Sequence, residues 1–371
     1  MVHKNAGDKK RFFDLDILKA IGILAVILAH VISKDTFIFQ IRNFDVPLMV
    51  FVSGILFAYT FKAYESGIAY VFKRIFRLLI PTWIFAIFFF TIFSLIYLLM
   101  AQQSPFGLKE FFSTILLQHY PAQIGAWVIR VFLLMIPAGL FLIWMKRKLK
   151  VASFIFFLIS SYLFYEFFYI LWNSYNPFGV KGIALISYFV SLIVFYILPY
   201  GFVFSLGILV PEMNEKQVKA SSFVFLCIFI VFFAFNYLTG SSLFTQDSKY
   251  PPRIFFLSYA LAASYFLYYF ANICSKMHQC TNGIFYDFVV FISSGTLWIF
   301  FWHFFVLAFL KIPIYSINLL AIFLDSHSMS KYFFVLIITL IMVYVQKKFC
   351  SYLYNRTKSE FFKKLLVIFL H

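Results

Sequence analysis

The stretch Asp14–His30, DLDILKAIGILAVILAH, decides how the rest of the chain is interpreted. It is apolar and long enough for a membrane-crossing helix, yet it contains Lys19 and His30. At ~3.6 residues per turn, their spacing returns both side chains to one helical face, roughly 16 Å apart along the axis. Ionisable groups inside spanning helices usually face protein or water and mark a functional path. The stretch therefore predicts a polar stripe inside a bundle; the alternative is a snorkelling lysine and a histidine at headgroup level.

The composition places the whole chain in the membrane class. Of its 371 residues, 63% are hydrophobic and only 12% are charged, which excludes a water-soluble domain. The formal net charge of +17 comes from lysines and arginines in short clusters between apolar runs, a pattern that indicates membrane orientation rather than nucleic-acid binding. We expect one integral-membrane domain over residues 1–371, with short basic cytoplasmic tails at 1–13 and 347–371.

Charge clusters and turn residues divide the chain into ten apolar segments near the ~20-residue span length. The fold predicted is therefore an all-α polytopic membrane protein with about ten transmembrane helices. The basic flanks place both termini in the cytoplasm of a multi-pass protein of the plasma or inner membrane. We expect the first span to be uncleaved and the tail SEFFKKLLVIFLH to lie on the inner leaflet. The predicted segments are residues 15–33, 46–61, 78–100, 126–145, 151–172, 185–209, 220–240, 254–273, 285–310 and 329–346.

Two histidines are candidates for chemistry. An imidazole at His30 is suited to act as a general base toward a hydroxyl, or to carry an acyl group itself. His303, in SSGTLWIFFWHFF, falls in the outer half of the ninth predicted span, at a similar depth. Each histidine alone is equally consistent with a hydrogen-bonded packing residue. Between them in the chain, Ser53 and Gly54 place a hydroxyl and a small residue in the second span, for which close helix packing is the alternative.

Three further patterns involve charged residues or metal-type donors. Arg74 and Arg77 lie on one helical face at the inner mouth of the third span, where guanidinium groups suit phosphate oxygens, although the positive-inside rule also explains them. Arg130 and Glu166 are expected near the outer ends of adjacent antiparallel spans, so we predict that they pair. The run CSKMHQC, from Cys274 to Cys280, has only three donors, so no metal site is predicted.

These motifs, in this order, resemble the membrane-bound acyltransferase-3 family. The similarity covers nearly the whole chain, including the later segments LPYGFVFSLGILV, YPPRIFFLSYALA and SSGTLWIFFWHFF. Where the family more commonly has arginine in the first span, this chain has Lys19, which lacks the bidentate fork. The matching residues are Asp16, Lys19 and His30 in the first span, Phe51, Ser53 and Gly54 in the second, and Arg74, Arg77 and Pro81 in the third.

The resemblance implies a membrane acyltransferase that uses acyl-CoA, most simply acetyl-CoA, as donor substrate and binds no resident cofactor. The donor phosphates would lie near Arg74 and Arg77, and the acyl group would pass Lys19 and His30 to a glycan or other acceptor on the far side. Besides acyl-CoA and acceptor, the expected partner is membrane lipid, with no nucleic acid. A polysaccharide or lipid-linked sugar flippase, and a partner of a glycan synthase without chemistry of its own, stay open as alternatives.

Overall fold

The fold is that of a computed structural model, which describes residues 11–61, 67–118, 123–175, 184–277 and 283–370. Within these ranges the side chains of residues 173–175, 184–193, 315–318, 321 and 325 are outside the description. The described residues form helices and no strand. The α-helices are α1 Phe13–Val31, α2 Phe37–Ile41, α3 Asp45–Phe61, α4 Gly67–Leu99, α5 Leu108–Ile115, α6 Ala126–Lys148, α7 Val151–Tyr175, α8 Ala184–Leu209, α9 Glu215–Leu238, α10 Ile254–Lys276, α11 Ile284–Ser294, α12 Thr296–Phe309, α13 Tyr315–Ser326, α14 Ser328–Arg356 and α15 Glu360–Leu370.

Each of the ten predicted apolar segments lies on a helix or on a pair of adjoining helices. Eight helices in the described ranges are long and apolar enough to cross a membrane, and the pair α11 and α12 makes nine if it is counted as one span. The helix α1 is not among these nine, and its first half carries Asp14, Asp16 and Lys19. The all-α multi-pass fold is confirmed, whereas the orientation of the termini stays a prediction.

The helix α1 lies at the centre of the bundle. Two acidic residues in its first turn and a histidine in its last turn match the helix dipole at both ends. It packs against α3, α10, α11, α12 and α14. Leu18 and Ile27 are fully buried and Ile23 is nearly so, which means that protein rather than lipid surrounds this helix. A central position explains why its charged side chains are tolerated.

The ninth predicted segment is not one straight span. The chain turns by 77° at Gly295, between α11 and α12. Lys347 of α14 stabilises the break, because its Nζ donates to the Phe291 carbonyl at 3.3 Å and to Ser294 Oγ at 2.8 Å, and so partners a carbonyl at the end of α11. A Cβ at position 295 would lie 3.2 Å from Lys347 Nζ and from Val343 Cγ1, so a larger residue there would require these side chains to shift slightly.

The predicted tail helix forms as α15, and it folds back on the bundle. Its last carbonyls accept hydrogen bonds from α12 and α14: Trp298 Nε1 donates to the Ile368 carbonyl at 3.1 Å, and Gln346 Nε2 donates to that of Phe369 at 3.1 Å. The Phe369 ring stacks on Trp298 at 4.9 Å. The tail is therefore fixed to the helix that carries His303 as well as being suited to a membrane surface.

Candidate active site

The structure brings the two candidate histidines together. The rings of His30, near the end of α1, and His303, on α12, have centroids 5.3 Å apart, and Phe304 contacts both rings at 4.7 and 4.1 Å. His303 is fully buried, whereas His30 is accessible at its surface although protein groups surround it. The His30 imidazole is therefore the accessible member of the pair, and His303 is the buried one.

Hydrogen bonding fixes which nitrogen of His303 carries the hydrogen. Its Nδ1 lies 3.2 Å from the Ile299 carbonyl, which can only accept, so Nδ1 carries the hydrogen. In the neutral ring, Nε2 then holds the lone pair, and this buried atom has no hydrogen-bond partner among the described residues. His303 therefore presents a fixed acceptor in the neighbourhood of His30.

A buried charge cluster, absent from the sequence predictions, lies beside this histidine pair. Arg42 Nη1 donates to Asp45 Oδ2 at 2.8 Å, and Lys249 Nζ donates to Asp45 Oδ1 at 3.1 Å and to Asn43 Oδ1 at 3.2 Å. Asn43 Nδ2 in turn donates to Thr245 Oγ1 at 2.9 Å. All five residues are at most 6% exposed. We call them the outer charge cluster; it ties the start of α3 to the loop between α9 and α10.

The outer charge cluster acts electrostatically on His30, since Asp45, Arg42 and Lys249 all lie within range of its imidazole. Burial lowers the pKa of Lys249, and the neighbouring Asp45 carboxylate opposes that effect. Arg42 and Lys249 both lie between the predicted apolar segments, where a charged residue gives no sign of burial. The available signal was one acid, Asp45, at the start of an apolar segment that it does not suit unless it is paired.

At the other end of α1, Asp16 is the centre of a second polar site. Its carboxylate accepts from Arg11 Nε, from Lys19 Nζ at 3.3 Å and from Ser293 Oγ of α11. The Asp16 side chain is only 6% exposed, while that of Lys19 is 25% exposed. Lys19 is thus held by an acid one turn away and remains partly accessible. We call Arg11, Asp16, Lys19 and Ser293 the inner site.

The two candidate donor-binding arginines have different environments. Arg74 Nη2 donates to Thr60 Oγ1 at 3.0 Å, and its guanidinium lies 4.9 Å from the Tyr70 ring centroid, so it holds α4 against α3. Arg77 is exposed and close enough to Lys19 to interact with it electrostatically. Of the two, Arg77 is the one that adds its charge to the inner site.

The family follows from a comparison of the whole chain. A family model described as an acyltransferase domain matches residues 12–345. The chain belongs to the acyltransferase-3 family. It is a membrane acyltransferase, an enzyme that transfers acyl groups other than amino-acyl groups. No curated protein and no solved structure matches the chain.

The match locates both polar sites inside the acyltransferase domain. It runs from the residue before α1 into α14 and includes His30, His303 and the outer charge cluster. It ends before α15, the helix that contacts Trp298. The Arg11 side chain, although it pairs with Asp16, lies one residue outside the match.

The predicted ion pair between Arg130 and Glu166 of the acyltransferase is wrong. Glu166 instead accepts from Arg253 Nε at 2.5 Å, from the Ile254 amide at 2.8 Å and from Tyr162 OH at 2.9 Å. The Arg130 guanidinium lies 4.6 Å from the ring centroid of Tyr196 on α8. The physical reason is packing: α6 and α7 each lie mainly against α8 rather than against one another.

We expect Glu166 and Arg253 of the acyltransferase to be coupled in stability. Glu166→Gln and Arg253→Gln should each lower the thermal unfolding temperature in detergent. The free energy of unfolding lost in the double variant should be smaller than the sum of the two single losses by about 1 to 2 kcal/mol. The pair is partly exposed, which keeps this figure below that of a fully buried pair. The stability losses of Arg130→Gln and Glu166→Gln should add in the double variant. Coupling between these two residues would contradict the observed partners.

Two remaining predicted features receive less support. Ser53 is half-buried on α3 and makes no hydrogen bond among the residues described, so its assignment as a supporting residue stays a prediction. His278 and Cys280 lie outside the described residues, and the described ones contain no group of three His, Cys, Asp or Glu side chains able to hold a metal. The expected absence of a metal site also stays a prediction.

Proposed function

We propose that this acyltransferase moves an acetyl group from cytoplasmic acetyl-CoA to a hydroxyl of a cell-surface or exported glycan. The observation that supports the proposal best is that α1 carries a polar site at each end. Lys19 belongs to the inner site at one end, and His30 belongs to the histidine pair at the other. The two positions are roughly 16 Å apart along the helix axis. Such a separation suits a donor that has phosphates at one end and a reactive acyl group at the other.

The inner site suits the donor's phosphates. Arg11, Lys19 and Arg77 gather three cations near Asp16, and with the nearby Asp14 carboxylate counted as well an excess of positive charge remains at a partly exposed position. Guanidinium groups match phosphate oxygens in geometry, and the lysine adds a point charge. The slender pantetheine arm of coenzyme A would then run along α1 toward His30.

The histidine pair suits the transfer step. As the acceptor hydroxyl oxygen attacks the acetyl carbonyl carbon, His30 removes the hydroxyl proton, the C–O bond forms, and the C–S bond breaks. The departing thiolate then takes up the proton from the imidazolium. In the alternative order, an imidazole nitrogen of His30 attacks first, releases the thiol, and passes the acetyl group to the hydroxyl in a second step. In both orders, His303 Nε2 is available to accept a hydrogen bond from the His30 ring and orient it.

Mass analysis of the surface glycan, with and without the gene, tests the proposal. Loss of ester groups from an intact polymer, restored by the gene in trans, is the expected result. Loss of the exported polymer itself would overturn the proposal in favour of a transporter. An unchanged ester content on an intact polymer would also overturn it, because acetyl transfer to this class of acceptor would then be absent.

We expect Arg77→Ala to weaken donor use selectively. Removing one of the three cations should raise the KM for acetyl-CoA about five- to tenfold and change kcat little, because Arg77 is far from the transferred group. Initial rates of acetyl transfer in membranes, at varied acetyl-CoA, measure both constants. Lys148→Ala, an exposed cation on α6 placed on the same side by the predicted topology, serves as the matched control. A fall in kcat with unchanged KM would contradict phosphate binding by Arg77.

A further inference from the structure

Buried positive charge exceeds buried negative charge around the acceptor end of the proposed path. Arg42 and Lys249 share one carboxylate, that of Asp45, and all three side chains are at least 95% buried. Together they carry a net charge of +1 within range of His30. Ion pairs buried in protein interiors are normally balanced, because an uncompensated charge away from water is strongly unfavourable.

A third buried cation adds to this excess. Arg130 is 9% exposed, its guanidinium lies over the Tyr196 ring, and no carboxylate among the described residues is within ion-pair distance of it. Its Nε is buried without a hydrogen-bond partner among the residues that the structure describes, and so is the Nε of Arg42. Guanidinium N–H groups left unpaired at such depth are costly, so these two Nε atoms point to acceptors from outside the described residues.

Tyrosines connect the position of Arg130 to the outer charge cluster. The hydroxyl of Tyr200 on α8 is fully buried and has no hydrogen-bond partner in the described part of the chain, and Tyr200 lies within electrostatic range of Asp45 and of Tyr196. Tyr196 is the ring that Arg130 covers. Through these two tyrosines Arg130 is linked to the outer charge cluster, which in turn lies within electrostatic range of His30.

We infer that the acceptor of this acyltransferase carries an anionic group, a carboxylate or a phosphate, which lies among Arg42, Lys249 and Arg130 while the acceptor hydroxyl meets His30. This inference rests on the proposed function. An anion there would balance the excess charge and accept charge-assisted hydrogen bonds from the unpaired guanidinium N–H groups. The hydroxyl oxygens of a neutral glycan could accept hydrogen bonds from these groups, but they would leave the excess positive charge unbalanced. The anion could belong to an acidic sugar or to a phosphate within the glycan.

A purely structural role accounts for part of the arrangement only. The Arg42, Asp45 and Lys249 contacts do hold the loop between α9 and α10 to the start of α3. That role requires no more than one cation for one carboxylate, and it does not involve Arg130. It also leaves the buried Nε atoms and the Tyr200 hydroxyl without a purpose.

The test uses acetyl transfer from labelled acetyl-CoA by membranes containing the full chain. The acceptor is the surface glycan purified from cells lacking the gene, in three forms: untreated, reduced at its carboxyl groups to alcohols, and freed of phosphate with hydrofluoric acid. We expect the untreated glycan to be acetylated and one of the two treated forms to lose about tenfold or more in kcat/KM. Which form loses activity identifies the carboxylate or the phosphate.

Two variants show whether the cations bind the carboxylate or phosphate of the acceptor. Lys249→Gln and Arg130→Gln should raise the KM for the untreated glycan about tenfold, leave the KM for acetyl-CoA unchanged, and reduce the difference between untreated and treated glycan. Arg130→Gln breaks no ion pair, so it remains informative if Lys249→Gln folds poorly. Lys34→Gln, at an exposed lysine of the loop after α1, is the matched control and should leave all three acceptors unchanged.

Three results would overturn the inference. Equal transfer to all three glycan forms would show that no anion is needed. A uniform loss on all forms in both variants, with acetyl-CoA use unchanged, would show a structural role for the cations. If the untreated glycan itself receives no acetyl group, the proposed function fails as well, so the two failures are distinguishable.

Discussion

His30→Ala is expected to abolish acyl transfer and to leave the acyltransferase folded. General acid–base catalysis by a positioned side chain contributes about 10²- to 10⁴-fold, and loss of a nucleophile costs at least as much, so kcat/KM should fall by about 10³-fold or more. His30 is accessible at its surface and has no hydrogen bond in the described structure, and its ring contacts are with His303 and Phe304. Its removal therefore leaves no buried polar group newly unpaired beyond those already present.

The measurement combines acetyl transfer with the thermal unfolding temperature in detergent. His327→Ala, an exposed histidine at the start of α14, is the matched control and should change neither quantity. Added imidazole should restore part of the transfer in His30→Ala if the ring acts as a base. If it acts as acyl carrier, the native chain incubated with acetyl-CoA alone should gain one acetyl group on the peptide containing His30. Full transfer by a folded His30→Ala protein would contradict both roles.

Much of the fold was predictable because bilayer thickness sets helix length. Apolar runs of about the spanning length became helices, and the predicted similar depth of His30 and His303 agrees with their contact, which also requires α1 to pack against α12. The inner site was predictable in part: Asp16 and Lys19 are one turn apart, so their pairing follows from helix geometry. Depth and turn geometry are properties that one sequence carries locally.

The rest depends on which helices become neighbours, and local patterns do not carry that information. Asp45 and Lys249 pair across 204 residues, from the start of one helix to a loop before another. Glu166 pairs with Arg253 rather than with Arg130 because α8 lies between α6 and α7, although these two helices are consecutive in the chain. The bend at Gly295 involves Lys347 of α14, which donates a hydrogen bond to a carbonyl at the end of α11.

Gly54→Ala is expected to cause the largest loss of stability. The helices α3 and α8 touch through their backbones, since a Cβ on Gly54 would lie 2.1 Å from the Phe204 carbonyl oxygen, and one on Gly207 would lie 2.2 Å from that of Phe51. Both obstructing atoms belong to helical backbone, which cannot turn aside as a side chain can. We expect a loss of about 3 kcal/mol or more, at the upper end of overpacking effects.

The matched control is Gly201→Ala, on the same α8 helix. A Cβ there meets nothing within 4 Å, and alanine favours helix over glycine by about 1 kcal/mol, so this variant should be neutral or more stable. The unfolding temperature and the folded yield in detergent should be measured for the native chain, Gly54→Ala and Gly201→Ala. Equal unfolding temperatures for Gly54→Ala and Gly201→Ala would contradict the contact between α3 and α8.

Gly54→Ala also tests whether the match at Phe51, Ser53 and Gly54 reflects close helix packing or a direct functional role. If Gly54 serves packing, Gly54→Ala molecules that do fold must hold α3 further from α8, and α3 begins at Asp45, the one carboxylate shared by Arg42 and Lys249. Acceptor use should then fall with donor use unchanged, since Asp16 and Lys19 lie on α1. A direct role in donor binding would instead raise the KM for acetyl-CoA. The packing contact of α3 with α8 thus sets the position of the charge beside His30.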